Sequence, residues 1–146
     1  MDDTIPPLTS PGDLPRVRTQ EDLHALWRML MGPLGFGGHS LWVHVLDEDG
    51  RPTPVILQIE DLPPVPDLAV RENITRFLSH LVQQAPGSVA FLLSRPGKKG
   101  ITEGERSWAE ALWDVTRHLG LRPWPVHRAN DHELVVVAPD DLAASA

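Results

Sequence analysis

Histidine is the side chain most able to ligate a metal or move a proton here: the chain has seven histidines and no cysteine. His127 and His132 flank a turn at Ala129-Asn130-Asp131, where cross-strand pairing could bring two imidazoles together. His44, on a separate strand, could supply a third nitrogen, with Asp131 or Glu133 nearby. A zinc site needs three or four such ligands converging on one point. No spacing in the chain is diagnostic of that convergence, so these histidines read as surface or hydrogen-bonded structural residues. The lack of cysteine excludes disulfides, thiolate zinc sites, iron–sulfur clusters and cysteine nucleophiles.

A second group of residues could hold an anion. Arg95, Lys98 and Lys99 stand just before a helix, and Lys98 and Lys99 are the only lysines in the chain. Cationic side chains beside the free N–H groups of a helix start suit a phosphate or carboxylate; a solvated loop has the same composition. Thr102 and Glu105 have the spacing of a capping box, which accounts for both residues without chemistry. Ser94 lacks the Gly-x-Ser-x-Gly setting of a nucleophile. The loop Gly35–Gly38 lacks the Gly-Lys-Ser/Thr of a phosphate loop and leads into a strand. No complete catalytic or metal set is present, and no cofactor is expected.

Five tryptophans remain. Trp27, Trp108 and Trp113 fall on helices, Trp42 and Trp124 in strands. Core packing explains at least three of them. Trp113 sits at the margin of its helix's apolar stripe, and Trp124 lies between Pro123 and Pro125, which suggests an edge strand. An exposed aromatic beside a proline-rich stretch can anchor a protein partner.

The elements that must position these residues can be read from periodicity and punctuation. Thr19 with Asp22 opens a helix whose apolar face is Leu23, Leu26, Trp27, Leu30 and Met31, ending at Gly32-Pro33. A strand over 41–47, a turn at Asp47–Gly50 and a strand over about 53–59 form a hairpin. Asp67 caps a helix bearing Val70, Ile74, Phe77, Leu78, Leu81 and Val82, which Pro86-Gly87 ends. Ser88–Ser94 is an unbroken apolar run of strand length, expected to be buried on both faces. Thr102 opens a helix buried through Trp108, Leu112, Val115 and Leu119, with Gly120 at its end. Two closing strands are expected at 121–127 and 133–138. The order α-β-β-α-β-α-β-β predicts an α/β fold, a three-layer-like mixed sheet flanked by helices. Residues 1–18 read as a disordered proline-rich leader, 19–140 as a single α/β domain and 141–146 as a flexible tail.

The formal charge of −7 disfavours nucleic acid as a partner. No apolar stretch approaches the ~20 residues of a membrane span. The acidic start shows no signal peptide, so a cytoplasmic protein is expected.

From the strand at Val89–Leu92 onward, the pattern resembles the JAB/MPN metalloprotease-like fold, in particular its RadC-like branch. That family ends an apolar strand in His-x-His-Pro and opens the next helix with Ser-x-x-Asp. Here Leu93-Ser94-Arg95-Pro96 stands at the first motif and Thr102-Glu103-Gly104-Glu105 at the second; Val126-His127 stands at the family's Asp-His pair. The likeness covers roughly residues 41 to 138. It implies a metal-free member, because Leu93 and Arg95 occupy both metal-histidine positions, and neither side chain can ligate zinc. The segment Leu26–Phe36 is similar to one in a family of small actinobacterial proteins, which brings no activity with it.

The resulting expectation is a non-enzymatic protein-interaction or regulatory domain whose partner is an unknown protein or a second copy. Arg95, Lys98, Lys99, Trp113, Trp124 and His127 are its candidate binding residues. The alternatives are a degenerate metallohydrolase-like enzyme, or a small-anion or nucleotide binder.

Overall fold

The apolar run Ser88–Ser94 becomes the strand around which the sheet is built, and all seven of its residues are buried. The computed structural model describes residues 16–31, 38–84, 87–97, 100–122 and 124–137. Within them the order is α1 (Gln20–Met31), β1 (Ser40–Leu46), β2 (Pro52–Glu60), α2 (Leu68–Gln84), β3 (Ser88–Ser94), α3 (Glu103–His118), β4 (Val126–Ala129) and β5 (Leu134–Val137). The five strands form one mixed sheet ordered β2-β1-β3-β4-β5. β1 pairs antiparallel with β2 and β3. β3 and β4 run parallel, with Leu92 opposite His127 and Leu93 opposite Arg128. A parallel neighbour needs a crossover, and α3 supplies it. β5 returns antiparallel to β4.

Side-chain alternation splits the core into two layers. On one face Leu41, Val43, Val89, Phe91, Leu93 and Val126 pack under α2 and α3, chiefly against Trp108, Leu112 and Val115. On the other, Leu46, Ala90, Leu92, Ala129 and Leu134 pack against Leu23, Leu26 and Trp27 of α1. The result is the expected helix–sheet–helix layering.

The helix starts are set by capping. The Thr19 hydroxyl accepts from Asp22 N at 3.1 Å, and the Asp22 carboxylate accepts from Thr19 N at 3.2 Å and Arg18 N at 3.0 Å. Asp67 caps α2 through Val70 N at 2.8 Å. Thr102 and Glu105 form a reciprocal capping box on α3. Gly120 closes that helix with φ of 72°, a conformation glycine adopts without steric cost.

Four expectations need correction. β4 begins at Val126, not at residue 121; the proline at 125 offers no N–H to a ladder. Trp124 is not at an edge: it precedes the interior strand β4, is buried, and donates from its indole to Ser88 Oγ at 2.8 Å. On α2 only Leu78 is fully buried, while Phe77 is 36% exposed; α3 occupies the centre of that face and leaves α2 toward its β2 side. Val17, assigned above to the leader, is buried and donates to Gly50 O at 2.7 Å. The expected helix stop at Gly32-Pro33, most of the leader, the tail, and the loop residues Gly35–Gly37 lie outside the described residues.

Candidate functional site at the end of the central strand

β3 is bordered by an antiparallel strand on one side and a parallel strand on the other, so its carboxyl end is where the sheet changes direction. Ligands of open α/β sheets bind outside the carboxyl ends of parallel strands, which here are β3 and β4. A cleft of about 330 Å³ opens there, floored by Leu93, Ser94 and Arg95 and walled by Thr102–Glu105 of α3, His39-Ser40, Pro63-Pro64 and Trp108. That volume is at the lower end of the small-molecule range. The proline-rich linker is pinned across it. Trp108 Nε1 donates to Pro63 O at 2.9 Å, and Pro64 O lies so close to Gly104 that a Cβ there would sit 2.4 Å from it.

The charge at the base of the cleft is an arginine–glutamate–arginine cluster. Arg95 Nε donates to Glu105 Oε2 at 2.6 Å, with both side chains buried. The same guanidinium donates to Gly100 O at 2.8 Å and Pro96 O at 3.1 Å. Glu105 Oε1 accepts from Thr102 N at 2.9 Å, completing the capping box, and lies 3.4 Å from Arg128 Nε. Arg128, on β4, is 1% exposed and donates from Nη2 to Glu133 Oε2 at 3.0 Å. Among the described residues its Nε and Nη1 have no hydrogen-bond partner. Glu105 therefore caps a helix and at the same time compensates two buried cations, a role its spacing to Thr102 alone does not reveal.

The hydroxyls of the cleft are also committed. Ser94 Oγ accepts from Trp42 Nε1 at 2.9 Å, Ser40 Oγ accepts from Gln58 Nε2 at 3.1 Å, and Thr102 Oγ1 accepts from Glu105 N at 3.1 Å. Among the described residues none of these three hydroxyls is hydrogen-bonded to a histidine, the pairing that activates a serine or threonine nucleophile.

The proposed ligand residues are scattered. His127 is on β4, completely buried under α1, and pairs in register with Val136 rather than His132. His132 is exposed in the turn, where Asn130 Oδ1 accepts from His132 N and Glu133 N, both at 2.9 Å. His44 is two strands from His127, its Nε2 2.9 Å from Thr53 O. Among the described residues no three His, Asp or Glu side chains are placed to hold one metal ion. Burial pushes the His127 imidazole down to about 4, with His24, its ring centroid 5.5 Å away, adding a smaller effect. Burial also lowers the basicity of His44, partly offset by the Thr53 carbonyl.

Of the six residues picked from sequence as a binding set, only Arg95 borders the cleft, and its guanidinium is engaged within the fold. Trp124 and His127 are interior, Trp113 is half-buried on α3, and Lys98 and Lys99 lie outside the described residues. The four described members do not share one surface. His39, Ser40 and Arg128 were not singled out; Arg128 carries no local signal, because its partners are 23 and five residues away. The fold and cleft define a mixed α/β protein with an ion-paired strand end. The chain matches no protein-family model and no curated protein.

Proposed function

We propose that this chain is a non-catalytic protein-interaction or regulatory domain of the cytoplasm, built on a metal-free variant of the JAB/MPN-like fold. The observation that carries the reading is the 2.6 Å contact between Arg95 and Glu105. In the resemblance, Arg95 stands at a metal-histidine position and Glu105 at the carboxylate position. A guanidinium on that carboxylate supplies in place the positive charge that a zinc ion would bring, and it has no lone pair to offer a metal. Leu93, at the other histidine position, is buried in the core beneath α3. The parallel β3–β4 pair joined across a capped helix supports the same reading, as does the commitment of the cleft hydroxyls to structural hydrogen bonds.

Metal analysis of tag-free protein, run beside an isopeptidase and peptidase assay, tests this function. Substoichiometric zinc with no hydrolysis is expected. Stoichiometric zinc accompanied by metal-dependent turnover refutes the reading.

A further inference from the structure

We propose that two copies of this chain associate through the outer edge of β2, which no described strand pairs, antiparallel and about a two-fold axis near Ile56 and Leu57. This rests on the reading of the chain as an interaction domain and names its partner.

β2 is the first strand of the sheet order and is nine residues long, while the opposite edge strand, β5, has four. Its outward polar groups follow from the register. Asp47 N donates to Arg51 O at 2.8 Å, which turns alternate β1 residues, Val45, Val43 and Leu41, toward β2. Their partners Leu57 and Ile59 therefore face inward. Opposite Val45, the Thr53 hydroxyl fills a bulge, donating to Val45 O at 2.8 Å and accepting from Val55 N at 3.1 Å. Ile56, Gln58 and Glu60 are left with N–H and C=O groups pointing away from the sheet, a template for another strand.

Edge strands that stay alone are guarded by lysine, proline, bulges, an inward-pointing charge or a cover; in β2 Pro52, Pro54 and the bulge guard only the first half, and the stretch from Val55 onward lacks these devices. The central Val55–Ile59 stretch of β2 has no charge, and Ile56 and Leu57 are each more than a third exposed. Phe77, equally exposed, lines with Ile59 an apolar groove along the same side.

Charge selects the occupant. Arg51 precedes the strand, Glu60 ends it and Asp61 follows; all three are exposed, and no salt bridge among the described residues uses them. An antiparallel second β2 brings each Arg51 toward the acidic pair of the other copy, at both ends of the contact. A parallel strand would set like charge beside like. Two-fold pairing of one strand with itself is the isologous arrangement of most small homodimers.

Light scattering on the full chain across a concentration series tests this. A species of twice the 16.2 kDa chain mass is expected. A monomer at the highest concentration overturns the dimer, yet leaves the non-catalytic reading standing; zinc-dependent hydrolysis by an intact dimer does the reverse. Arg51→Glu alone, and Glu60→Arg with Asp61→Asn in a second chain, should each weaken self-association about tenfold, since like charges then oppose at both ends. Mixing the two variants should restore a heterodimer in native mass spectra. Circular dichroism checks that each variant folds. A dimer indifferent to these changes, or no recovery on mixing, places the interface elsewhere and refutes the edge assignment.

Discussion

Lowering the pH should loosen this fold through one histidine. His127 is fully buried on β4, between Leu92 and Val136, and among the described residues neither ring nitrogen makes a well-formed hydrogen bond. The nearest titratable ring is His24 of α1, itself a base, and the Pro125 carbonyl helps only weakly. The folded protein therefore holds His127 neutral down to about 4, against 6.5 for a free imidazole. As pH falls below 6.5 the unfolded chain takes up this proton first, so stability drops steadily until about pH 4 and then levels off. At ~1.4 kcal/mol per pH unit, the span from 6.5 to 4 amounts to about 3 kcal/mol. That is a large part of the 5–15 kcal/mol that holds a typical domain together, so roughly ten degrees of melting temperature. Urea unfolding followed by tryptophan fluorescence, at intervals between pH 7.5 and 4, measures it. His127→Phe keeps a ring of similar volume in the layer under α1 and removes the titration. The stability of that variant should change by about 3 kcal/mol less than that of the parent over the same interval. Parallel curves for the two proteins would show that His127 is not held neutral by burial, and the account of the α1 layer would fail.

Two further outcomes follow from the packing. Glu105→Gln removes the charge that compensates Arg95 and Arg128 and should cost about 3–5 kcal/mol in chemical denaturation, whereas Thr102→Ala, which removes only a cap, should cost about 1 kcal/mol. Gly87→Ala should destabilise by more than about 1 kcal/mol, because φ there is 148° and a Cβ would sit 2.0 Å from Leu46 O; a melting curve unchanged from the parent would show that the β1–β3 approach is looser than described.

The parts of the fold legible in the sequence are those fixed by local chemistry. The run Val89–Leu93 announced a strand with no solvent face, and the Thr19–Asp22 and Thr102–Glu105 spacings announced two helix starts, because capping acts within one turn. The hairpin at Asp47 was equally local: its carboxylate accepts from Asp49 N and Arg51 N. What was not legible depends on contacts across the sheet. Glu105 looked fully explained by its cap, while its ion pairs with Arg95 and Arg128 exist only after α3 folds back over β3 and β4. Trp124, placed between two prolines, suggested an edge, yet its indole finds Ser88, 36 residues earlier, and Arg122 lies 3.7 Å over its ring. His44 and His127 drew notice as possible ligands, but with β3 between their strands and His132 in a turn, proximity in the chain did not become proximity in space.

The closed strand end is tested most directly by titrating tag-free protein with Co²⁺ and following its visible absorption. With Arg95 seated on Glu105, no saturable tetrahedral band should develop, in the parent or in Glu105→Gln. A stoichiometric band in the parent that disappears in Glu105→Gln would mean that Glu105 ligates a metal and that the guanidinium does not fill the site.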